Sequence, residues 1–182
     1  MSTTHPKDQI SYCPKCGGNK FPYAGKNFHC QDCGFTFYIN SSAAVAAIIL
    51  NEKNELLLTR RKFEPMAGLL DLPGGFVDPM ESAETAVRRE IKEELNLEID
   101  QLHFFCSVPN EYTFNGLSYF TTDITFLCKV DSMEHIHAED DISEALFIAP
   151  ENIHLEDIGA TSMKVIVQKY LDEHQNVARI LR

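Results

Sequence analysis

At 182 residues, 44% hydrophobic and 24% charged, the chain has the composition of one ordinary globular domain with a small appendage. No apolar run is long enough to cross a bilayer and the first residues are polar rather than leader-like, so a cytoplasmic location without a membrane partner is expected. The net charge of −11 is uneven: residues 1–40 carry +2 and the remainder −13, which disfavours nucleic acid and anionic membranes as partners.

Cys13, Cys16, Cys30 and Cys33 form the pattern C-x2-C-x13-C-x2-C, with a glycine after each pair. Each CxxC folds naturally into a tight knuckle that presents two thiolates. Two knuckles complete the tetrahedral shell of a structural zinc site, so a zinc ribbon is predicted over residues 1–40. Such a short segment buries little core, and metal binding would supply its folding energy. Lys15, Lys20 and Lys26 with Phe21, Tyr23 and Phe28 could offer a basic-aromatic surface to nucleic acid. The acidity of the rest favours instead a ribbon packed as a structural or dimer element. His29 falls outside the ligand set, because four sulfurs already fill it. Cys106 and Cys128 stand alone in apolar surroundings.

Residues 41–182 read as a second domain. "SSAAVAAIIL" suits a strand buried on both faces, and "ELLLTRR" beyond the "NEKN" turn a second strand, giving a hairpin. A loop with Pro65, Gly68, Pro73, Gly74 and Gly75 leads to a helix whose apolar stripe is Val87, Ile91 and Leu95. Ser82 is the preferred N-cap over Asp78, which leaves Glu81 in the loop. "LEIDQLHFFCSVPNEYTF" and "LSYFTTDITFLCKV" are strand-like and flank the hairpin signal Asn115-Gly116. "DISEALFIAPENI" reads as a short strand turning at Pro150, and "SMKVIVQKYLDEH" as a closing helix. Helices mixed with antiparallel or mixed strands predict an α+β sandwich rather than a doubly wound sheet.

On the helix, Glu90, Glu93 and Glu94 stand at i, i+3 and i+4, where like charges repel by about 0.2–0.5 kcal/mol per pair. Taken alone, they read most simply as a solvated acidic face paired with Arg and Lys. The surrounding "GFVDPMESAETAVRREIKEELNL" changes that reading. It resembles the Nudix box at Gly75, Glu81, Arg89, Glu90, Ile91, Glu93, Glu94 and Leu97, departing only at Asn96, where the box has glycine. Asn is a common left-handed residue just past a helix, so this change should cost little.

The resemblance implies a Nudix-type α/β/α sandwich with a mixed sheet, preceded by the small ribbon. It also implies a hydrolase that cleaves a nucleoside diphosphate linked to another moiety by attack of water on phosphorus. Clustered carboxylates suit two or more Mg²⁺ or Mn²⁺ ions, which neutralise charge on phosphates. By resemblance, Glu90, Glu93, Glu94 and the Gly74 carbonyl are the metal ligands, Arg89 orients the carboxylates, and Glu81 assists through water or by supporting the ligands from behind. The general base is Glu93 or an acid of "HAEDDISEA", which offers Glu139, Asp140, Asp141 and Glu144; His135 and His137 read as loop residues.

A ribbon directly before such a domain resembles the bacterial NADH pyrophosphatase group, whose members commonly pair as homodimers. That group carries a Ser-Gln-Pro-Trp-Pro-Phe-Pro-type motif for NADH. The corresponding "SVPNEYTF" keeps Ser107 and Pro109 but has Asn110 and Glu111 in place of Trp and Pro. Tyr112, Phe114 and Tyr119 are candidates for stacking on a base, and Arg60 or Arg61 for meeting a phosphate. Expected substrates are ADP-ribose, NAD(H), dinucleoside polyphosphates or nucleoside triphosphates. The alternative function is noncatalytic binding of a nucleotide effector, with the ribbon on nucleic acid.

Overall fold

The protein is described here by a computed structural model covering residues 4–134, 136–137 and 142–181. The chain divides into two compact units, Met1–Ser41 with Glu111–Phe120, and Ser42–Asn110 with Thr121–Arg182. The first unit therefore takes in a distant segment that a division at residue 40 assigns to the second.

The first unit contains the short helix α1 (Pro6–Gln9) and the antiparallel pair β1 (Asn27–His29) and β2 (Thr36–Tyr38). Its small core is Cys13, Phe21, Phe28 and Cys30. The added segment is the tip of a hairpin whose two-residue turn, Asn115-Gly116, has φ of 49° and 79°. Positive φ at both positions fits the twist of the flanking strands, which is why Asn-Gly is favoured there.

In the second unit, β3 (Ser42–Ile48) runs parallel to β7 (Leu117–Val130), which pairs in turn with β6 (Ile99–Phe114). Strands β6 and β7 are the arms of that hairpin. A second sheet is ordered β5 (Leu70–Asp71), β4 (Leu56–Arg61), β8 (Ile142–Ile148), all antiparallel neighbours. The hairpin expected between "SSAAVAAIIL" and "ELLLTRR" is corrected by this arrangement. Among the described residues the backbones of the two strands pair at the turn, where Leu50 bridges Leu56 and the Leu57 N–H donates to the Ile49 carbonyl at 2.9 Å. They then part into different sheets. The apolar run leaves β3 no solvent face to protect, so its best neighbours are other buried strands rather than the next one in sequence.

Burial along β3 alternates between two cores. Val45 and Ala47, with Ile49 just beyond the strand, face one that includes Ala86, Val87, Ile91 and Leu95 of α2 (Ala83–Leu95). Ala46 and Ile48 face the other, with Ile166, Val167, Tyr170 and Val177 of α3 (Thr161–Ile180). Sheet strands between two helices make the α/β/α sandwich. The closing helix is longer than "SMKVIVQKYLDEH". Its N-terminus has no side-chain cap; instead the Ser162 hydroxyl donates to the buried Asp123 carboxylate on β7. Pro150 opens a single 3₁₀ turn, Pro150–Asn152.

Candidate functional site

Helix α2 starts as its residues dictate. The Ser82 hydroxyl accepts from the Thr85 N–H at 3.2 Å, and the helix ends at Asn96 in the left-handed conformation, φ 56° and ψ 30°. The Asn96 N–H donates to the Lys92 carbonyl at 3.0 Å, and the Leu97 N–H to that of Ile91 at 3.4 Å. The Lys92 carbonyl, one of the four left over at the helix end, is thereby satisfied. Val87, Ile91 and Leu95 are fully buried beneath the helix, each stabilising it by roughly 1.5–3 kcal/mol as an upper bound. That anchoring brings Glu90 and Glu94 to the Gly74–Gly75 segment, while Glu93 pairs with Arg89.

This segment lies along β3. The N–H groups of Val45 and Ala47 donate to the Gly75 and Pro73 carbonyls at 2.8 and 2.9 Å, and the Val77 N–H to the Ala43 carbonyl at 3.0 Å. Gly74, at φ 146°, could not carry a side chain: a Cβ there would lie 2.1 Å from the Val45 carbonyl oxygen. Its N–H donates at 2.9 Å to Glu94, which is only 8% exposed. A Cβ on Gly75 would sit 2.6 Å from the Glu90 carboxylate. Both glycines are thus places where backbone and carboxylates meet closely.

Arg89 is the hub of the acidic group. Its Nε and Nη2 donate to the two oxygens of Glu81 at 3.1 and 2.9 Å, a bidentate pair. Nη1 donates to Glu90 at 2.8 Å and Glu93 at 3.0 Å, while Nη2 also reaches the Phe76 carbonyl at 3.0 Å. The hydrogen bonds to Arg89 hold the Glu81 carboxyl below its usual range, and Glu81 foremost raises the Arg89 pKa. Burial, opposed by Arg89, raises that of Glu90. Glu81 is therefore bound directly to Arg89, a contact that its loop position in the sequence did not reveal. The Glu81 carboxylate also accepts the Asp78 N–H at 3.1 Å, which folds the loop back onto the helix.

The other candidates are placed as follows. Arg60 donates to Glu144 at 3.1 Å and to the Gly68 carbonyl at 2.8 Å; Arg61 pairs with Asp71 at 3.1 Å. Tyr112 and Tyr119 stack with centroids 5.5 Å apart, and Phe114 is exposed nearby on the same hairpin tip, in the first unit. Glu139, Asp140, Asp141 and His135 lie outside the described residues. A cavity of 750 Å³ in the second unit, lined by Asn51, Lys53, Lys129, Asp131 and Phe147, includes none of the α2 carboxylates.

In the first unit the four cysteine sulfurs lie within 4.8 Å of one another. Cys13–Cys33 and Cys16–Cys30 are 3.8 and 3.7 Å apart, too far for a disulfide. A tetrahedron of sulfurs about 2.3 Å from a central ion has edges of about 3.8 Å, so the donors fit a four-coordinate metal. Matching knuckles build the cluster, with the Gly17 and Gly34 N–H groups bonded to the Cys13 and Cys30 carbonyls at 2.8 and 2.9 Å. Burial opposes ionisation of Cys13, but the backbone N–H groups of Cys16 and Lys15 outweigh it and hold the thiol at about 7. Cys16 is pushed up to about 12, the Gly18 N–H opposing its sulfur neighbours Cys33, Cys30 and Cys13. Thiolates so close need a cation between them. His29 points elsewhere, bonding Thr36 at 3.0 Å. Among the described residues this is the one His/Cys/Asp/Glu group so tightly gathered; the α2 carboxylates are spread over Arg89 and Gly74 instead.

The profile of the family described as NUDIX domain matches residues 41–170. The chain belongs to the NUDIX family. A Nudix solved structure, the NUDIX hydrolase from Nitrosomonas europaea, superposes with a TM-score of 0.69 over 92% of this chain and 93% of that one, at 22% identity, which shows the shared Nudix fold. An ADP-ribose pyrophosphatase of Methanocaldococcus jannaschii is 46% identical over 63 residues, 35% of this chain and 37% of that protein. The NAD-capped RNA hydrolase NudC of Vibrio cholerae is 25% identical over 150 residues, 82% and 53% of the two chains. Matches to these and other curated relatives span 23% to 53% of their lengths. The matched span includes Glu81, Arg89, Glu90, Glu93 and Glu94.

Proposed function

We propose that the protein is a divalent-metal-dependent pyrophosphohydrolase acting on ADP-ribose and related nucleoside diphosphate derivatives. The observation that carries this is the approach of Glu90 and Glu94, on one anchored helix, to the Gly74–Gly75 backbone, with Glu93 tied to Glu90 through Arg89. The donor set fits Mg²⁺ or Mn²⁺, which favour carboxylate and carbonyl oxygens. Glu90, Glu93, Glu94 and the Gly74 carbonyl would hold the ions. The flanking carbonyls of Pro73 and Gly75 are committed to β3, and the alternation of an extended chain turns the one between them away from that strand. Bound there, the metal supplies charge neutralisation on the phosphates and a more acidic water.

The chain's own residues set the stage for that chemistry. Arg89 keeps Glu90 and Glu93 within about 3 Å of one guanidinium nitrogen, so their mutual repulsion is offset before any cation arrives. Glu81 fixes the guanidinium from the other side, in a geometry that lysine could not reproduce. Glu93, more exposed than Glu90 beside Arg89, or an acid of the 137–145 stretch, is the proposed acceptor of a proton from water. Tyr112, Phe114 and Tyr119 are proposed base-stacking residues and Arg60 a phosphate contact.

Identity to an ADP-ribose pyrophosphatase supports that substrate class, and Asn110 and Glu111 in the NADH-type motif weigh against NADH. The four cysteines are proposed to hold structural Zn²⁺, and the protein to act in the cytoplasm; no described helix is long and apolar enough to cross a membrane. The test is AMP release from ADP-ribose, NADH, diadenosine polyphosphates and nucleoside triphosphates with Mg²⁺ or Mn²⁺. Fastest turnover of ADP-ribose is expected. Nucleotide binding without turnover of any substrate would point to the noncatalytic effector role.

A further inference from the structure

The cysteine cluster and the hairpin tip are joined by a row of rings. Cys13 and Cys30 pack with Phe21 and Phe28, which stack at 5.0 Å and are almost fully buried. Tyr23 lies 5.2 Å from Phe28, and His5 lies 5.8 Å from Tyr23. The His5 ring also meets Phe120, 5.6 Å away on the hairpin. Beside it, Thr4 is paired to the buried Ser118 twice. The Ser118 N–H donates to the Thr4 carbonyl at 2.7 Å, and the two hydroxyls share a hydrogen bond at 2.8 Å. His5 is itself held in place, its Nδ1 accepting the Lys7 N–H at 2.9 Å to cap α1.

We infer that metal binding at Cys13, Cys16, Cys30 and Cys33 fixes the hairpin tip Glu111–Phe120 through Phe28, Tyr23 and His5, so that the stacked Tyr112–Tyr119 pair is ordered only in the metal-loaded protein. This rests on reading the four cysteines as a metal site. An isolated two-stranded hairpin end is marginal in water and needs a packed surface to hold it. The ribbon supplies that surface, yet a unit of this size with four buried aromatic and cysteine core residues depends on its metal for folding. Whatever stabilises the folded ribbon by binding it therefore stabilises the tip as well. His5 and Thr4 are positioning residues: they touch neither metal nor carboxylates, and transmit order from one to the other end of the unit.

Metal content by mass spectrometry and amide hydrogen exchange of the full chain test this together. One tightly bound ion per chain is expected. Stripping it with a chelator should raise exchange over residues 112–119 by roughly tenfold, within the range of ordinary site-to-site coupling, while α2 stays protected. His5→Ala should loosen the same segment with the ion retained, and stripping that variant should add little more. His5→Phe, which keeps the ring but not the cap, should retain a protected tip. Failure to bind any metal would overturn both this inference and the ribbon reading. A bound ion whose removal leaves 112–119 protected, or loosens the whole chain equally, would overturn the clamp alone.

Discussion

Gly75→Ala separates the chemistry of the carboxylate site from the stability of the fold. The added Cβ would lie 2.6 Å from the Glu90 carboxyl carbon and one oxygen, and 2.7 Å from the other. Ordinary contact begins near 3.4 Å, so the carboxylate must retreat by the difference, 0.8 Å. The obstacle is the end of a flexible side chain, and the backbone at Gly75 is not in a glycine-only conformation, so the loss of stability should stay below about 1 kcal/mol, or about 2–4 °C in Tm. If Glu90 holds metal as proposed, displacing its carboxylate by nearly 1 Å should lower kcat/KM by about 10- to 100-fold. Gly74→Ala is the contrast. There the Cβ meets the Val45 carbonyl at 2.1 Å in a left-handed region, which should destabilise the protein by about 1–3 kcal/mol or more. Calorimetry and Mg²⁺-dependent AMP release from ADP-ribose, run on both variants, decide the matter. A Gly75→Ala protein with the parental rate, or one as unstable as Gly74→Ala, would refute the reasoning.

Glu93→Ala should abolish metal-dependent turnover, by about 100-fold or more, with Tm nearly unchanged because its side chain is half exposed; retention of the parental rate by a Glu93→Ala/Glu94→Ala double variant would remove the assignment. Asn96→Gly should leave the rate within about threefold, since both residues accept φ 56°, whereas Asn96→Val should cost about 1–2 kcal/mol in chemical denaturation. Asp71 offers a pH test. Burial, against the opposing Arg61, pushes its pKa from 3.8 up to about 6. A folded value above the unfolded one means that the protonated acid is favoured in the fold. Its contribution is complete below pH 3.8 and fades as pH rises through 6. The stability of the parent relative to Asp71→Asn should therefore fall by about 2–3 kcal/mol between pH 4 and 7.5, and a rise over that interval would contradict the burial argument.

The local features were open to reading because local physics decides them. Ser82 caps α2, Asn96 ends it in the left-handed region, and Asn115-Gly116 turns the hairpin, each within a few residues of its partners. The spacing of Cys13, Cys16, Cys30 and Cys33 and the register of Glu81, Arg89, Glu90, Glu93 and Glu94 likewise survive as motifs along the chain. What the sequence determined by itself was the motifs and the helix that presents the carboxylates. Tertiary structure alone decided with whom they pair. It parted β3 from β4, because a strand buried on both faces is stabilised by whichever buried neighbours complete the sandwich. It set Glu81 on Arg89 and Gly75 against Glu90, contacts fixed by how a loop folds back over a helix. It also joined the hairpin tip to the cysteine unit through Thr4 and His5, more than a hundred residues away in sequence. Such pairings depend on burial and close approach between distant segments, and no periodicity or spacing along the chain encodes them.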